Sequence, residues 1–254
     1  MMTVFESLRD WQKLRASSSF GFRSVGFVPT MGALHEGHLS LIKKSKSEND
    51  RTIVSIFVNP TQFDDPQDYE KYPKTLTLDL AMLEKAGVDY VLIPNQKEIY
   101  ADNYRFKVEE DDMSQLLCGR IRPGHFQGVL TIVLKLLNLA DAHRAYFGEK
   151  DYQQYVLIKE MAKAFFLKTQ IVPCPTIRER DGLALSSRNQ RLTKAERIKA
   201  ARFPEALMNA KSSKVATAKL EEDGFIVDYV EDFIGRRFGA VRLGHVRLID
   251  NVKV

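Results

Sequence analysis

The stretch VGFVPTMGALHEGHLSLI, Val25 to Ile42, sets the reading of this chain. An apolar, strand-like run ends in Pro29-Thr30-Met31-Gly32, His35 and His38 follow at H-x-G-H spacing, and a helical pattern begins at once. A strand, a glycine turn and a helix start with two imidazoles make a place to hold a phosphate chain. The helix N-terminus brings backbone N–H groups and the positive end of its dipole. Gly32 and Gly37 admit close approach of the backbone to a ligand. The histidines can donate hydrogen bonds to charge that builds on a reacting phosphorus. Together these features point to nucleotidyl transfer. A hydrolytic zinc helix would space its histidines at i, i+4 around a Glu. Here the spacing is i, i+3 around Gly37, with only Glu36 close as a third ligand, so zinc is not expected.

Outward from this stretch the pattern alternates. FESLRDWQKLRA, Phe5 to Ala16, spaces Phe5, Leu8, Trp11 and Leu14 as an amphipathic helix, ended by Ser17 to Ser19. SVGFVP is a strand, GHLSLIKKSKSE a helix, and RTIVSIFVNP, Arg51 to Pro60, a near-continuously apolar strand of the kind covered on both faces. The loop TQFDDPQDYEKYP leads to the helix TLTLDLAMLEKAG, closed by Gly87, and then to a strand over Val88 to Pro94. FQGVLTIVLKLLNLA is a buried helix, HRAYFG a strand, EKDYQQYVLIKEMAKAFF a helix and QIVPCPTI a strand. This alternation predicts an α/β fold, a Rossmann-like doubly wound parallel sheet with functional loops at the strand carboxyl ends. The Met31–His38 turn and the Asn59–Phe63 loop should therefore share one crevice. After Arg178 the texture becomes polar and helix-rich, then GFIVDYVEDF and GHVRLIDNVKV alternate like antiparallel strands. A boundary near 175–180 divides a nucleotide-binding domain, 1–176, from a smaller C-terminal α+β lid domain, 177–254.

The 254 residues carry 38 Lys and Arg against 33 Asp and Glu, a net charge of +5. The basic residues are scattered, with no run of five, which fits a grip on polyphosphate better than nucleic-acid binding. Cys118 and Cys174 stand far apart, so neither a disulfide framework nor a Cys-ligated metal is expected. Glu6, Arg9 and Asp10 interrupt the N-terminal stretch, and Lys135 interrupts the greasiest run, VLTIVLKLLNLA. Neither a secretory leader nor a membrane span is expected, and a cytoplasmic setting is.

Three further segments carry chemistry. FVNPTQF puts the amides of Asn59 and Gln62 at a strand end, able to read a small polar substrate or simply to form a turn. FGEKDYQQ places Gly148, Lys150, Asp151 and Gln154 at a strand-to-helix junction. Lys150 can meet phosphate there as a point charge, and Asp151 can cap the helix or hold a ribose hydroxyl. LALSSRNQRL offers Ser186, Ser187 and Arg188 to wrap a leaving pyrophosphate.

The ordered set PTMGALHEGHLSLI, FVNPTQF, YPKTLTLDL, KAGVDYVLIP, RPGHFQGVLTIVLKL, FGEKDYQQ, RERDGLALSSRNQRL and RLIDN resembles the pantothenate synthetase (pantoate–β-alanine ligase) family of the nucleotidyltransferase superfamily, from Val25 to Asn251. The resemblance implies an ATP-dependent ligase. Pantoate and ATP would give pantoyl adenylate and pyrophosphate, and β-alanine would then release AMP and pantothenate. It assigns His35, His38, Lys150 and Arg188 to the reacting phosphates, with His38 as the usual proton donor. It assigns ATP to Met31, Gly32, Ala33, Leu34, His35, Glu36, Gly37, His38, Gly148, Glu149, Lys150, Asp151, Ile177, Leu185, Ser186, Ser187 and Arg188. Pantoate and β-alanine fall to Gln62, Gln154 and Asn59. Mg²⁺ would ride on the phosphates, with Asp79 as an outer ligand, and the assembly would be a homodimer. Lys74 stands where the family usually has arginine, Leu185 where it often has methionine, and the chain from Ala210 to RLIDN looks short and divergent. Arg120 or Arg122 could also touch a substrate, with RPGHF otherwise structural. The alternatives are another H-x-G-H nucleotidyltransferase that leaves its nucleotide on the product, and an RNA-binding module without ATP turnover.

Overall fold

Val25, Phe27 and Val28 have no exposed surface, because one strand is packed on both faces. The computed structural model describes residues 2–17, 20–21, 23–64 and 66–254. Among these, the strands β1 (Thr3–Phe5), β2 (Val25–Thr30), β3 (Arg51–Ile56), β4 (Tyr90–Leu92), β5 (Arg144–Gly148) and β6 (Gln170–Cys174) form one parallel sheet in the order β1-β4-β3-β2-β5-β6. The helices that accompany it are α1 (Leu8–Ala16), α2 (Glu36–Glu48), α3 (Pro66–Glu70), α4 (Leu76–Lys85), α5 (Gln96–Ile99), α6 (Leu117–Ile121), α7 (His125–Ala140) and α8 (Tyr152–Ala164). From β2 the order runs outward through β3 and β4, with β1 added at that edge, and from β5 it runs to β6 in the other direction. The crevice of such a sheet opens at that reversal, beyond the carboxyl ends of β2 and β5. The α/β architecture is the one the alternation predicts.

Beyond β6 come α9 (Lys194–Ala200), α10 (Arg202–Asn209), α11 (Ser213–Glu222) and an antiparallel meander of β7 (Ile226–Phe233), β8 (Arg236–Leu243) and β9 (Val246–Lys253). Leu183, Phe203, Leu207, Leu220 and Val241 share a core of their own. Tyr229, Phe238 and Ala240 instead join the core beneath the parallel sheet. The meander is thus packed onto the larger body as well as onto its own helices.

The structure corrects the sequence reading in several places. Phe5 belongs to β1, which pairs with β4, and its ring meets Trp11 edge-on at 5.5 Å. The helix begins only at Leu8, where Ser7 Oγ accepts from the Asp10 N–H. Ser17 closes it, and Ser18 and Ser19 lie outside the described residues. The segment read as a loop before residue 74 contains α3. The strand β8 was not expected, because Arg236 and Arg237 break any apolar pattern, yet both are buried. Arg237 pairs with Asp232 and donates to the carbonyls of Leu207 and Ala210, so its charge and its donors are satisfied within the fold. Among the described residues no helix is long and apolar enough to cross a membrane.

The N-terminus of α7 holds the loop that follows β3. Gly128 lies so close to this loop that a Cβ would sit 2.1 Å from the Thr61 carbonyl oxygen. Arg122 Nη2 and His125 Nδ1 both donate to the Gln62 carbonyl, at 3.0 and 2.8 Å, and Arg122 Nε reaches Asp64 at 2.6 Å. His125 Nε2 accepts from Arg122 Nη1 at 3.2 Å, a pattern that suits the neutral ring. RPGHF thus holds this loop, while Arg122 and His125 also line the cavity at the carboxyl ends of the strands. Arg120 turns away to pair with Glu231.

Burial, followed by the charge of Arg122, pulls the His125 imidazole from 6.5 down to about 3. The unfolded chain takes up this proton below pH 6.5 and the folded chain does not, so stability falls as pH drops from 6.5 toward about 3. His125→Asn is expected to lower the melting temperature near neutral pH and to flatten its decline between about pH 7 and pH 4. Thermal melts across that range check this. An unchanged slope would mean that His125 titrates normally in the folded protein.

Candidate active site

The turn after β2 is built by backbone geometry and one buried carboxylate. Gly32 and Ala33 have φ of +76 and +51, which swing the chain sharply away from the strand. The N–H groups of Ala33 and Leu34 then point at Asp79, on α4, with donor–acceptor distances of 3.0 and 2.8 Å, and Thr75 Oγ1 donates to the same carboxylate at 3.1 Å. Asp79 is 2% exposed and does not reach the cavity. The expectation that Asp79 is an outer metal ligand is therefore corrected, because its oxygens are spent on holding the turn.

The chain leaves this turn at His35, the N-cap of α2. Nδ1 of His35 accepts from the Gly37 N–H at 3.1 Å, and Nδ1 of His38 accepts from the His35 N–H at 3.3 Å. The imidazoles thus take two of the amides expected to face a phosphate directly. Each ring, accepting at Nδ1, carries its proton on Nε2 in the neutral state. The ring centroids stand 4.2 Å apart. Burial and then the neighbouring His35 pull His38 down to about 3, and burial followed by the Lys150 charge lowers His35. The site therefore presents two neutral N–H donors backed by a helix dipole.

A cavity of about 400 Å³ opens at this point, at the reversal of the sheet. Its wall includes Met31, His35, Gly37 and His38 from the first turn and Gly148, Lys150, Asp151 and Gln154 from the junction of β5 and α8. Ile177 and Leu185 to Arg188 line it from the segment after β6, and Asn59 and Gln62 from the loop after β3. Four expected contacts from the first turn, Gly32, Ala33, Leu34 and Glu36, do not line it, because the turn aims the Ala33 and Leu34 amides at Asp79 and leaves Glu36 on the outer surface. Glu149 is also absent from the wall, since its carboxylate pairs with Arg236 at 3.0 Å.

Lys150 Nζ lies 3.8 Å from the half-exposed Asp151 carboxylate, which makes no cap bond to α8. Leu185 N donates to the Ile177 carbonyl at 3.0 Å, so these two residues form a narrow backbone ladder at the cavity edge. Ser186 Oγ accepts from the Arg188 N–H, and the Arg188 guanidinium reaches Asp68 at 2.8 Å, where Arg191 joins it at 2.6 Å. Burial raises the Asp68 pKa, but the hydrogen bonds and charges of the two arginines outweigh it, and the carboxyl is held below its ordinary range.

Asn59 is 3% exposed. Its Oδ1 accepts from Thr61 N, Thr61 Oγ1 and Tyr100 OH, and its Nδ2 donates to the Gly128 carbonyl. Its main work is to hold the loop, with one N–H left over. Gln62 and Gln154 differ: among the described residues neither spends its side-chain amide on a protein partner. Sequence reading missed Asp68 and Tyr72, which also line the cavity. They sit in a segment taken for a plain loop, where the one available signal was its aromatic and acidic content.

The family model described as pantoate-β-alanine ligase matches residues 1–253. A pantothenate synthetase from Bdellovibrio bacteriovorus is 54% identical over 254 residues, covering 100% of both chains. Another from Legionella pneumophila is 52% identical over 250 residues, 98% of this chain and 99% of that one. The crystal structure of pantoate-β-alanine ligase from Francisella tularensis, complexed with β-γ ATP and β-alanine, superposes with a TM-score of 0.95 at 44% identity, covering 100% of this chain and 98% of that one. With its turn, its paired histidines and its parallel sheet, the chain belongs to the pantoate-β-alanine ligase family.

Proposed function

We propose that the chain joins pantoate to β-alanine in two steps within the one cavity. In the first, a carboxylate oxygen of pantoate attacks the α-phosphorus of ATP. The bond from that phosphorus to the β-bridging oxygen breaks, and pyrophosphate leaves pantoyl adenylate behind. In the second, the amine of β-alanine attacks the acyl carbon, the acyl–phosphate bond breaks, AMP departs and the amine gives up a proton. The observation that carries this reading is the convergence of two neutral imidazole donors, Lys150 and the Ser186–Arg188 segment with the unspent amides of Gln62 and Gln154.

On this reading His35 and His38 donate from Nε2 to the oxygens of the α-phosphate as charge redistributes in the transition state. A ring pulled down to about 3 acts as a neutral donor in the free enzyme. To give up a proton the ring must first take one up, and the triphosphate charge beside it favours that imidazolium form. Lys150 and Arg188 take the phosphate charge, and Arg188 exchanges Asp68 for pyrophosphate as ATP enters. Asp151 faces the ribose, and the Ile177–Leu185 ladder flanks the adenine. Gln62 and Gln154 hold pantoate by neutral hydrogen bonds.

Of the carboxylates beside Lys150 and Arg188, Asp68 is held by two arginines and Asp151 stands alone next to Lys150, while the buried Asp79 is committed to the turn. This donor set builds no oxygen cage of the kind a resident Mg²⁺ needs, so Mg²⁺ belongs to the substrate as MgATP. The reading also includes a homodimer, a cytoplasmic setting and a division into 1–176 and 177–254. Any closing motion falls to the Leu185–Arg191 segment, because β7 and β8 are anchored in the main core through Tyr229, Phe238 and Ala240, and α10 and α11 share a core with those strands.

With β-alanine left out, labelled pyrophosphate is expected to exchange into ATP only when pantoate is present. His38→Ala should slow that exchange by about 10²–10³-fold while ATP still binds. If the wild-type chain binds ATP but shows no pantoate-dependent exchange, the acyl adenylate is wrong. Gln62→Ala should raise the KM for pantoate far more than that for ATP. Equal effects on both would reduce Gln62 to a turn residue.

A further inference from the structure

The RLIDN segment, Arg247 to Asn251, carries no task in the reaction as described so far, and neither does Arg236 on the neighbouring strand. In the β8–β9 register Arg236 faces Lys253 and Phe238 faces Asn251. Arg236 and Asn251 are therefore diagonal neighbours on one face of the meander. Both are buried, at 7% and 3% exposure. Asn251 Nδ2 donates to the carbonyls of Glu149 and Lys150, at 2.8 and 3.0 Å. Its Oδ1 accepts from Arg236 Nη1 at 2.6 Å. The orientation of the amide is fixed by chemistry, since a guanidinium has only donors and a carbonyl only acceptors. Arg236 Nη2 holds the Glu149 carboxylate at 3.0 Å, and its guanidinium carbon lies 3.9 Å from the ring centroid of Tyr152, the first residue of α8.

These contacts converge on the short turn Glu149–Asp151 that joins β5 to α8. The Asp151 side chain makes no cap bond to the start of α8. The meander supports the turn, through two backbone carbonyls and one carboxylate. Lys150 Nζ rides on a flexible four-carbon stem, and the place from which that stem starts is set by the backbone that Asn251 grips. We propose that Asn251, locked by Arg236, is the positioning residue for Lys150, fixing the ammonium where it meets the phosphates of ATP. The adjacent Asp250 grips Arg178 with two hydrogen bonds, at 2.5 and 2.9 Å, and so anchors the segment that leads into the Ile177–Leu185 ladder from the same strand. The proposal rests on the reading of Lys150 as a phosphate ligand.

The test is a double-mutant cycle on the full chain, read by pantoate-dependent exchange of pyrophosphate into ATP. Asn251→Asp keeps volume and an oxygen for Arg236 but removes both N–H donors. In the wild-type background it is expected to raise the KM for ATP or lower the exchange rate by about ten-fold or more, with the KM for pantoate unchanged. In a Lys150→Ala background it is expected to add nothing, because its effect passes through Lys150. The same fold-loss in both backgrounds would overturn the proposal and make Asn251 a general stabiliser, as would an Asn251→Asp variant with wild-type ATP kinetics. If Lys150→Ala alone leaves ATP kinetics intact, the phosphate-ligand reading of Lys150 falls, and the proposal falls with it. Should Asn251→Asp fail to fold, Arg236→Lys, which keeps the charge but loses the fork, goes through the same cycle with the same outcomes.

Discussion

The carboxylate of Asp79 accepts the N–H groups of Ala33 and Leu34 and the hydroxyl of Thr75, and the geometry of the site follows from this. A buried carboxylate is costly unless it is satisfied, and hydrogen bonds to a charged group are worth about 1.5–3 kcal/mol each. That return lets the chain hold a left-handed Ala33, a conformation an L residue otherwise resists. The turn then delivers His35 to the start of α2 with its ring folded back over the helix end. A weaker hold on Ala33 and Leu34 would leave the two imidazoles without a fixed starting point. Asp79 lies more than forty residues along the chain from the turn, on α4, so packing of that helix against the sheet is itself a condition for the site.

The histidines give up part of what a bare helix N-terminus offers. The amides of His35 and Gly37 are committed to ring nitrogens, which leaves the Nε2 donors as the groups proposed to meet a phosphate. The exchange moves the donors outward from the helix end. It also ties the tautomer of each ring to the backbone, so that no separate acidic partner is needed to orient it. Burial opposes protonation of both rings, followed by the Lys150 charge at His35 and by the neighbouring His35 ring at His38. On the proposed reading, charge for the phosphates is therefore supplied by Lys150 and Arg188, and direction by the imidazoles.

Much of this was legible in the sequence, for local reasons. Alternating apolar strands and amphipathic helices, with H-x-G-H directly after a strand, have signatures that survive without neighbours, and they placed the crevice at the strand carboxyl ends, with the turn after β2 and the loop after β3 in it. What was not legible depends on partners far along the chain. Nothing local to Asp79 shows that its oxygens face the amides of Ala33 and Leu34 and not a metal. Nothing local to Asn59 shows that Tyr100, Thr61 and Gly128 take most of its bonding and leave one N–H. Glu149 sits within a phosphate-binding motif, yet its side chain leaves the cavity for Arg236. β1 has only three residues, too few to show a period of its own.

β8 shows why the C-terminal part resists a pattern-based reading and also what that part is for. A strand that packs on both sides should be apolar, but Arg236 and Arg237 occupy buried positions in it. Each guanidinium has its donors matched by carboxylates, carbonyls or an amide oxygen, which is the condition under which buried charge is tolerated. A hydrophobic pair would avoid the desolvation cost but could not grip the Glu149–Asp151 turn or close the Asp232 hairpin. Stability alone does not account for charge placed there. The meander reaches the first residues of α8 and the Arg178 segment from one strand, and so it belongs to the frame of the cavity.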